Sequence, residues 1–181
     1  MSGSIFSANT IAGVPVIEAK SDYTVNLDPF NNGKVYVGSY ITAPNQPAFS
    51  ATPSGNQTNI ATGTDVTIVL GTEIFDQGGN FASNTFTAPV TGKYQLNVIM
   101  RMDAVDSAAG YYQLALKTSN RNYYSILDPD FGQDSVNHTL NLSVLADMDA
   151  SDTAYLTLHQ NTGTAQTDIT TETWFSGYLV C

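Results

Sequence analysis

Short runs rich in Val, Ile, Thr, Tyr and Phe recur along the chain, and no useful window places apolar residues at i, i+3, i+4 and i+7 between helix caps. The pattern predicts a nearly all-β protein. Expected strands are Val14 to Ile17, Tyr23 to Leu27, Val35 to Gly38, Ala48 to Ala51, Asp65 to Leu70, Thr85 to Ala88, Gly92 to Met102, Tyr111 to Thr118, Tyr123 to Leu127, Val136 to Ala146, Ala154 to Gln160 and Thr173 to Val180. Several alternate cleanly: Leu140, Leu142 and Val144 sit on one face, with Asn141 and Ser143 on the other. A strand with that period of two has one side made for a core.

Between the runs lie turn-forming stretches such as Asn31-Asn32-Gly33, Pro53-Ser54-Gly55, Gln77-Gly78-Gly79-Asn80, Pro89-Val90-Thr91-Gly92, Asp128-Pro129-Asp130 and Asn161-Thr162-Gly163. Many short strands with closely spaced turns favour a β-sandwich or jelly roll over a parallel α/β sheet. Pro44 and Pro47 interrupt any ladder around residues 42 to 47, so the chain reads as an arm, residues 1–43, followed by a head, residues 44–181. An arm of that length buries too little apolar surface to fold alone and must lean on the head, a sister chain or a larger particle.

Of the 181 residues 42% are hydrophobic and only 12% charged, which supplies a core and argues against disorder. Six basic and sixteen acidic residues give a net charge of −10, so no basic face is expected for nucleic acid or an anionic membrane. Every Lys and Arg precedes position 122, while Asp128, Asp130, Asp134, Asp147, Asp149, Asp152, Asp168 and Glu172 follow. Such a stretch reads as a solvated repulsive surface, a cation site or a docking face for a basic partner. The single Cys181 forbids an intrachain disulfide, and no stretch has the roughly 18 apolar residues of a membrane span. The N-terminus lacks a positive n-region and an apolar h-region, which predicts synthesis in a cytosol without an export signal of its own.

Several segments of the head resemble the globular domain of the complement q-subcomponent and tumour necrosis factor superfamily. They are Pro47-Ala48-Phe49-Ser50-Ala51, the stretch Gly79 to Tyr94 with its Phe-Thr-x-Pro-x-x-Gly-x-Tyr motif, Leu114 to Asn120, and the closing Phe175-Ser176-Gly177-Tyr178-Leu179. The resemblance implies a ten-stranded jelly roll that assembles as a homotrimer and recognises ligands without enzyme activity. The arm, through Ile11 to Leu27 and Gly33 to Gly38, is similar to segments of tail-fibre and spike proteins of bacteriophages, where strands of three chains wrap one another. Together these resemblances imply a virion structural and adhesion protein: a fibre tip or a capsid or tail decoration. Its arm would bind other virion proteins or form the stem, and its head would meet a host-surface glycan or protein. The alternative is a secreted bacterial, lectin-like recognition module exported by a non-classical route.

No Gly-x-Ser-x-Gly, His-Glu-x-x-His or Walker loop is present, and Cys181 has no neighbouring base. His138 and His159 read as strand residues, and the carboxylate pairs Asp103/Asp106 and Asp147/Asp149 as turn aspartates. The loop Asp128 to Asp134 offers the carboxylates of Asp128, Asp130 and Asp134, oxygen ligands of the hard type that calcium takes. The resemblance places a calcium-binding loop there, ahead of the strand that begins near Val136. The pairs Tyr111-Tyr112 and Tyr123-Tyr124 each direct one ring inward and one outward, and Tyr112 and Tyr124 are the rings expected to meet a ligand.

Overall fold

The computed structural model describes residues 4–9, 15–27 and 38–181. The chain divides into two compact units, Met1–Ala43 and Pro44–Cys181. In the first, β1 (Ser4–Asn9), β2 (Pro15–Lys20) and β3 (Val25–Leu27) form an antiparallel sheet in the order β1-β2-β3. The turn between β2 and β3 is held by Asp22, whose carboxylate accepts from the Thr24 amide at 3.1 Å and the Thr24 hydroxyl at 2.6 Å. That side-chain mimicry of a backbone turn lets Tyr23 adopt a positive φ of 67°. Ile17, Val25 and Leu27 stay largely exposed. The strand expected over Val35 to Gly38 lies, Gly38 excepted, outside the described residues.

The second unit is a β-sandwich with every described residue of the buried core between Phe49 and Phe175. Its strands are β4 (Ala48–Thr52), β5 (Asp65–Thr67), β6 (Thr72–Gln77), β7 (Phe81–Ala82), β8 (Thr85–Thr87), β9 (Gly92–Val105), β10 (Tyr111–Thr118), β11 (Asn122–Leu127), β12 (Ser135–Met148), β13 (Thr153–Asn161), β14 (Asp168–Ile169) and β15 (Trp174–Leu179). One sheet runs β12-β9-β15-β4-β6 with β14 added to β9, and the other runs β11-β10-β13-β8-β7 with β5 added to β13. The chain crosses repeatedly between the sheets, staying within one only from β7 to β8, β10 to β11 and β14 to β15, and ten of the strands form the two ladders of a jelly roll.

Strand β9 shows why these residues make this element. Tyr94, Leu96, Val98, Met100 and Met102 are all buried, while Lys93, Gln95, Asn97, Ile99 and Arg101 point the other way. Phe49 on β4 stacks on Phe86 and Phe81, with ring centroids 4.6 and 5.1 Å apart, and meets Phe175 edge-on at 4.9 Å. The Phe-Thr-x-Pro-x-x-Gly-x-Tyr stretch is explained by this packing. Phe86 and Tyr94 are core rings, and the Tyr94 hydroxyl donates to the Val90 carbonyl at 2.7 Å, tying the turn to the strand it launches. A Cβ at Gly92 would meet the Cys181 carbonyl oxygen and Leu179 at 2.6 Å. At Gly177 a Cβ would meet Leu96 at 2.5 Å and the Phe49 ring at 2.8 Å, so both close approaches need glycine.

The expected strand list misses β1, β6, β7 and β14, and the strand expected over Asp65 to Leu70 ends at Thr67. Strand β6 escapes because its pairing with β4 slips between Ser50 and Ala51, leaving Ile74 out of register, so that Ile74 and Phe75 are both exposed and the alternation is lost. Strands β7 and β14 have two residues each, too few to show a period.

Candidate functional site

The outward face of the β12-β9-β15-β4-β6 sheet is assembled by register. Leu145, Gln95, Tyr178 and Ala48 form one row across the strands, Ser143, Asn97, Ser176, Ser50 and Phe75 the next, and Asn141, Ile99 and Trp174 the third. Leu145, Ile99, Tyr178 and Phe75 are each about half exposed, at 58, 48, 49 and 51%, and Trp174 remains 39% exposed. Among these side chains runs a neutral ladder: Gln95 Nε2 donates to Ser143 Oγ at 2.9 Å and Asn97 Oδ1 at 3.1 Å, and the Ser143 hydroxyl donates to Asn97 Oδ1 at 2.8 Å. At one end of the face the Arg101 guanidinium pairs with Glu172 and with Asp103, 3.2 Å away, and donates to Asn137 Oδ1 at 2.7 Å. The hydrogen bond to Glu172 holds the Arg101 pKa above its ordinary value.

The outward face of the β11-β10-β13-β8-β7 sheet has a different chemistry. Asp65, brought beside His159 by the β5–β13 pairing, accepts from Lys117 Nζ at 2.6 Å and contacts His159 Nδ1 at 2.9 Å. These hydrogen bonds, from Lys117 first and His159 second, hold the Asp65 carboxyl below the usual carboxylate range, and the same contact raises Lys117. Tyr111 stacks on His159 with ring centroids 5.7 Å apart.

Of the two expected ligand-binding rings, Tyr124 lies on this face half exposed, accepting from the Asn122 amide at 3.1 Å. Tyr112 is a correction: it is fully buried, and Tyr111 is the outward member of that pair. The Tyr112 hydroxyl accepts from the Asp106 amide at 2.9 Å and donates to Thr167 Oγ1 at 2.6 Å, which in turn donates to the Ala104 carbonyl. Burial pushes the phenol pKa up against the opposing pull of those bonds.

Among the described residues Asp128, Asp130 and Asp134 do not come together as a group of three candidate metal-ligating side chains. Asp134 is committed elsewhere. Its Oδ1 accepts from the amide and hydroxyl of Ser107, both at 2.9 Å, and its Oδ2 from Gln166 Nε2 at 2.9 Å, which lowers its pKa. It therefore ties the β9–β10, β11–β12 and β13–β14 loops together. Asp106, which unlike Asp134 is buried, accepts from the amides of Ala108 at 2.8 Å and Thr164. Asp147 pairs with Arg121 at 2.9 Å and Asp149 belongs to a turn closed by Asp152. The turn aspartates therefore serve backbone and ion-pair roles. Sequence reasoning missed Asp65 and Lys117, because their pairing spans 52 residues and leaves no local signal.

The family profile of the C1q domain matches residues 48–180. The globular domain of zebrafish complement 1qA protein has a similar fold, with a TM-score of 0.56 at 18% identity over 75% of this chain and 98% of that one. Murine APRIL, solved at pH 8.5, gives a TM-score of 0.53 at 8% identity over 75% of this chain and 99% of its own. No curated protein sequence shows significant similarity to the chain.

Proposed function

The chain belongs to the C1q-domain family, and from that premise we propose that it acts as a homotrimeric, non-enzymatic recognition head on an attachment arm, carried by a bacteriophage virion. The observation that carries this reading is the outward face of the β12-β9-β15-β4-β6 sheet, with Leu145, Ile99, Trp174, Tyr178 and Phe75 exposed together on regular strands. Five large apolar side chains left exposed on one sheet face, around a neutral polar ladder, fit an interaction surface better than a face kept in water. The Gln95/Asn97/Ser143 ladder supports burial there, since its members already satisfy one another and lose little on leaving water. Arg101, held by Glu172, Asp103 and Asn137, would lie at one end of the interface with its charge paired.

The arm supports attachment for the complementary reason. Ile17, Val25 and Leu27 are exposed on a three-stranded sheet with no buried core of its own among the described residues. A sister arm or another virion protein would cover them. The head would then present the opposite sheet and the loops to a host-surface glycan or protein.

Light scattering after size exclusion tests the assembly: the trimer has a mass near 58 kDa, three times the 19.4 kDa chain. A stable 19.4 kDa species would sink the trimeric reading. Mass spectrometry of purified phage particles tests the setting, with the chain expected among the particle proteins. Deleting residues 1–43 is expected to leave a trimeric head that no longer attaches, and retained attachment would refute the arm's role.

A further inference from the structure

Where the β11–β12 loop meets the start of β12, the wall of the head hollows into a concavity of about 360 Å³ lined by Phe131, Gln133, Asp134, Ser135, Val136 and His138. That volume is at the lower end of the roughly 300–1,000 Å³ of small-ligand pockets, enough for one ring-sized group. Phe131 is 43% exposed yet ordered by stacking on His138, with ring centroids 5.9 Å apart and planes 27° apart. The walls are held in place from behind. Asp134 is fixed by Ser107 and Gln166, and the Ser135 hydroxyl donates to the Asn137 carbonyl at 2.9 Å.

Two lining groups remain open. The Gln133 amide and the His138 ring nitrogens have no hydrogen-bond partner among the described residues. The lining contains no Lys or Arg, so a phosphate, sulfate or carboxylate ligand would meet the Asp134 carboxylate without a counter-charge. What the concavity offers is an aromatic face, a fixed acceptor in Asp134, and donors and acceptors on Gln133 and His138. We propose that it binds a neutral pyranose residue of a glycan. The apolar C–H face of such a ring stacks on Phe131, and its hydroxyls donate to Asp134 and exchange hydrogen bonds with Gln133 and His138. A flat aromatic with no hydroxyls would leave those polar groups unpaired, which disfavours it.

The assignment rests on the head being a recognition module. Its test is a titration of the full chain with the methyl glycosides of glucose, galactose, mannose and N-acetylglucosamine, followed by amide NMR shifts and by saturation transfer to the sugar. At least one glycoside is expected to shift the amides of residues 131–138, with at least tenfold weaker binding in Phe131→Ala and unchanged binding in Val69→Ala, an exposed position away from the concavity. Gln133→Ala gives a second reading should Phe131→Ala disturb the loop, and is also expected to weaken binding. The site is overturned if no glycoside moves these amides, if the shifts fall elsewhere, if both variants bind as the parent does, or if only the anionic probe sialyllactose binds. Attachment of the labelled chain to a panel of bacterial cells separates this failure from that of the broader reading. Attachment of the parent chain to cells while no glycoside shifts residues 131–138 overturns only this site, whereas attachment to no cell overturns the recognition role itself.

Discussion

On the β9 side of the sandwich the outward positions carry Ile99, Trp174, Tyr178 and Leu145 around a neutral hydrogen-bonded ladder, whereas on the β13 side they carry Lys117, Asp65, His159 and Tyr124. Both sheets present the same kind of inward face, a row of buried Leu, Phe and Tyr, joined by Met on the β9 side. The core therefore explains the fold, and the outward residues distinguish the uses of the two faces. An ion pair at 20 and 44% side-chain exposure gains little from being covered, because desolvation offsets its Coulomb energy. Half-exposed Ile and Trp gain about 25 cal/mol for each Å² removed from water. The first face is suited to permanent burial against sister chains, the second to staying wet.

The largest effect that could break this comparison is a charge placed in the first face. Ile99→Asp is expected to convert the trimer to monomer by light scattering while circular dichroism still reports a β-sandwich, since the side chain points away from the core. A variant that stays trimeric would remove this face from the interface. Next is a change to the inward side. Tyr112→Phe leaves the Asp106 amide and Thr167 hydroxyl without their shared partner and should cost about 1–3 kcal/mol in denaturant unfolding. Tyr111→Phe, one residue away and outward, should cost almost nothing.

A smaller effect is expected at Asp65. Its carboxyl is held below the usual range, so its ion pairs stabilise the fold fully above the unfolded pKa, and that contribution disappears as pH falls through the folded value, below about pH 4. Lys117 has the opposite sign, with its share present below its ordinary pKa and lost at strongly alkaline pH. Because the pair is partly exposed, Asp65→Asn should cost only about 0.2–1 kcal/mol near neutral pH and flatten the acid limb of the stability profile. The smallest change belongs to Tyr124→Ala, expected within about 0.5 kcal/mol of the parent and without effect on mass.

Local sequence carried much of the head because strand period and turn chemistry are local. The alternation of β9, β12 and β13, the breakers between them, and the Phe86 to Tyr94 and Phe175 to Leu179 stretches all follow from residues within a few positions of one another. Periodicity gives only the relative phase, however. A period of two says that Tyr111 and Tyr112 face opposite ways, and only the pairing of β10 with β13 and β11 decides that Tyr112 is the buried one. Likewise, the acidic loop from Asp128 to Asp134 announced its composition but not its partners. Ser107 and Gln166, 27 and 32 residues from Asp134, take up that carboxylate, and Phe131 and His138 form the aromatic wall beside it. Contacts across such separations depend on loop closure and sheet order, which no local run of residues encodes. The sequence by itself thus determined the β class, the inward rows and the turns; the tertiary structure decided which faces carry charge, which ring is exposed and where the wall of the head hollows.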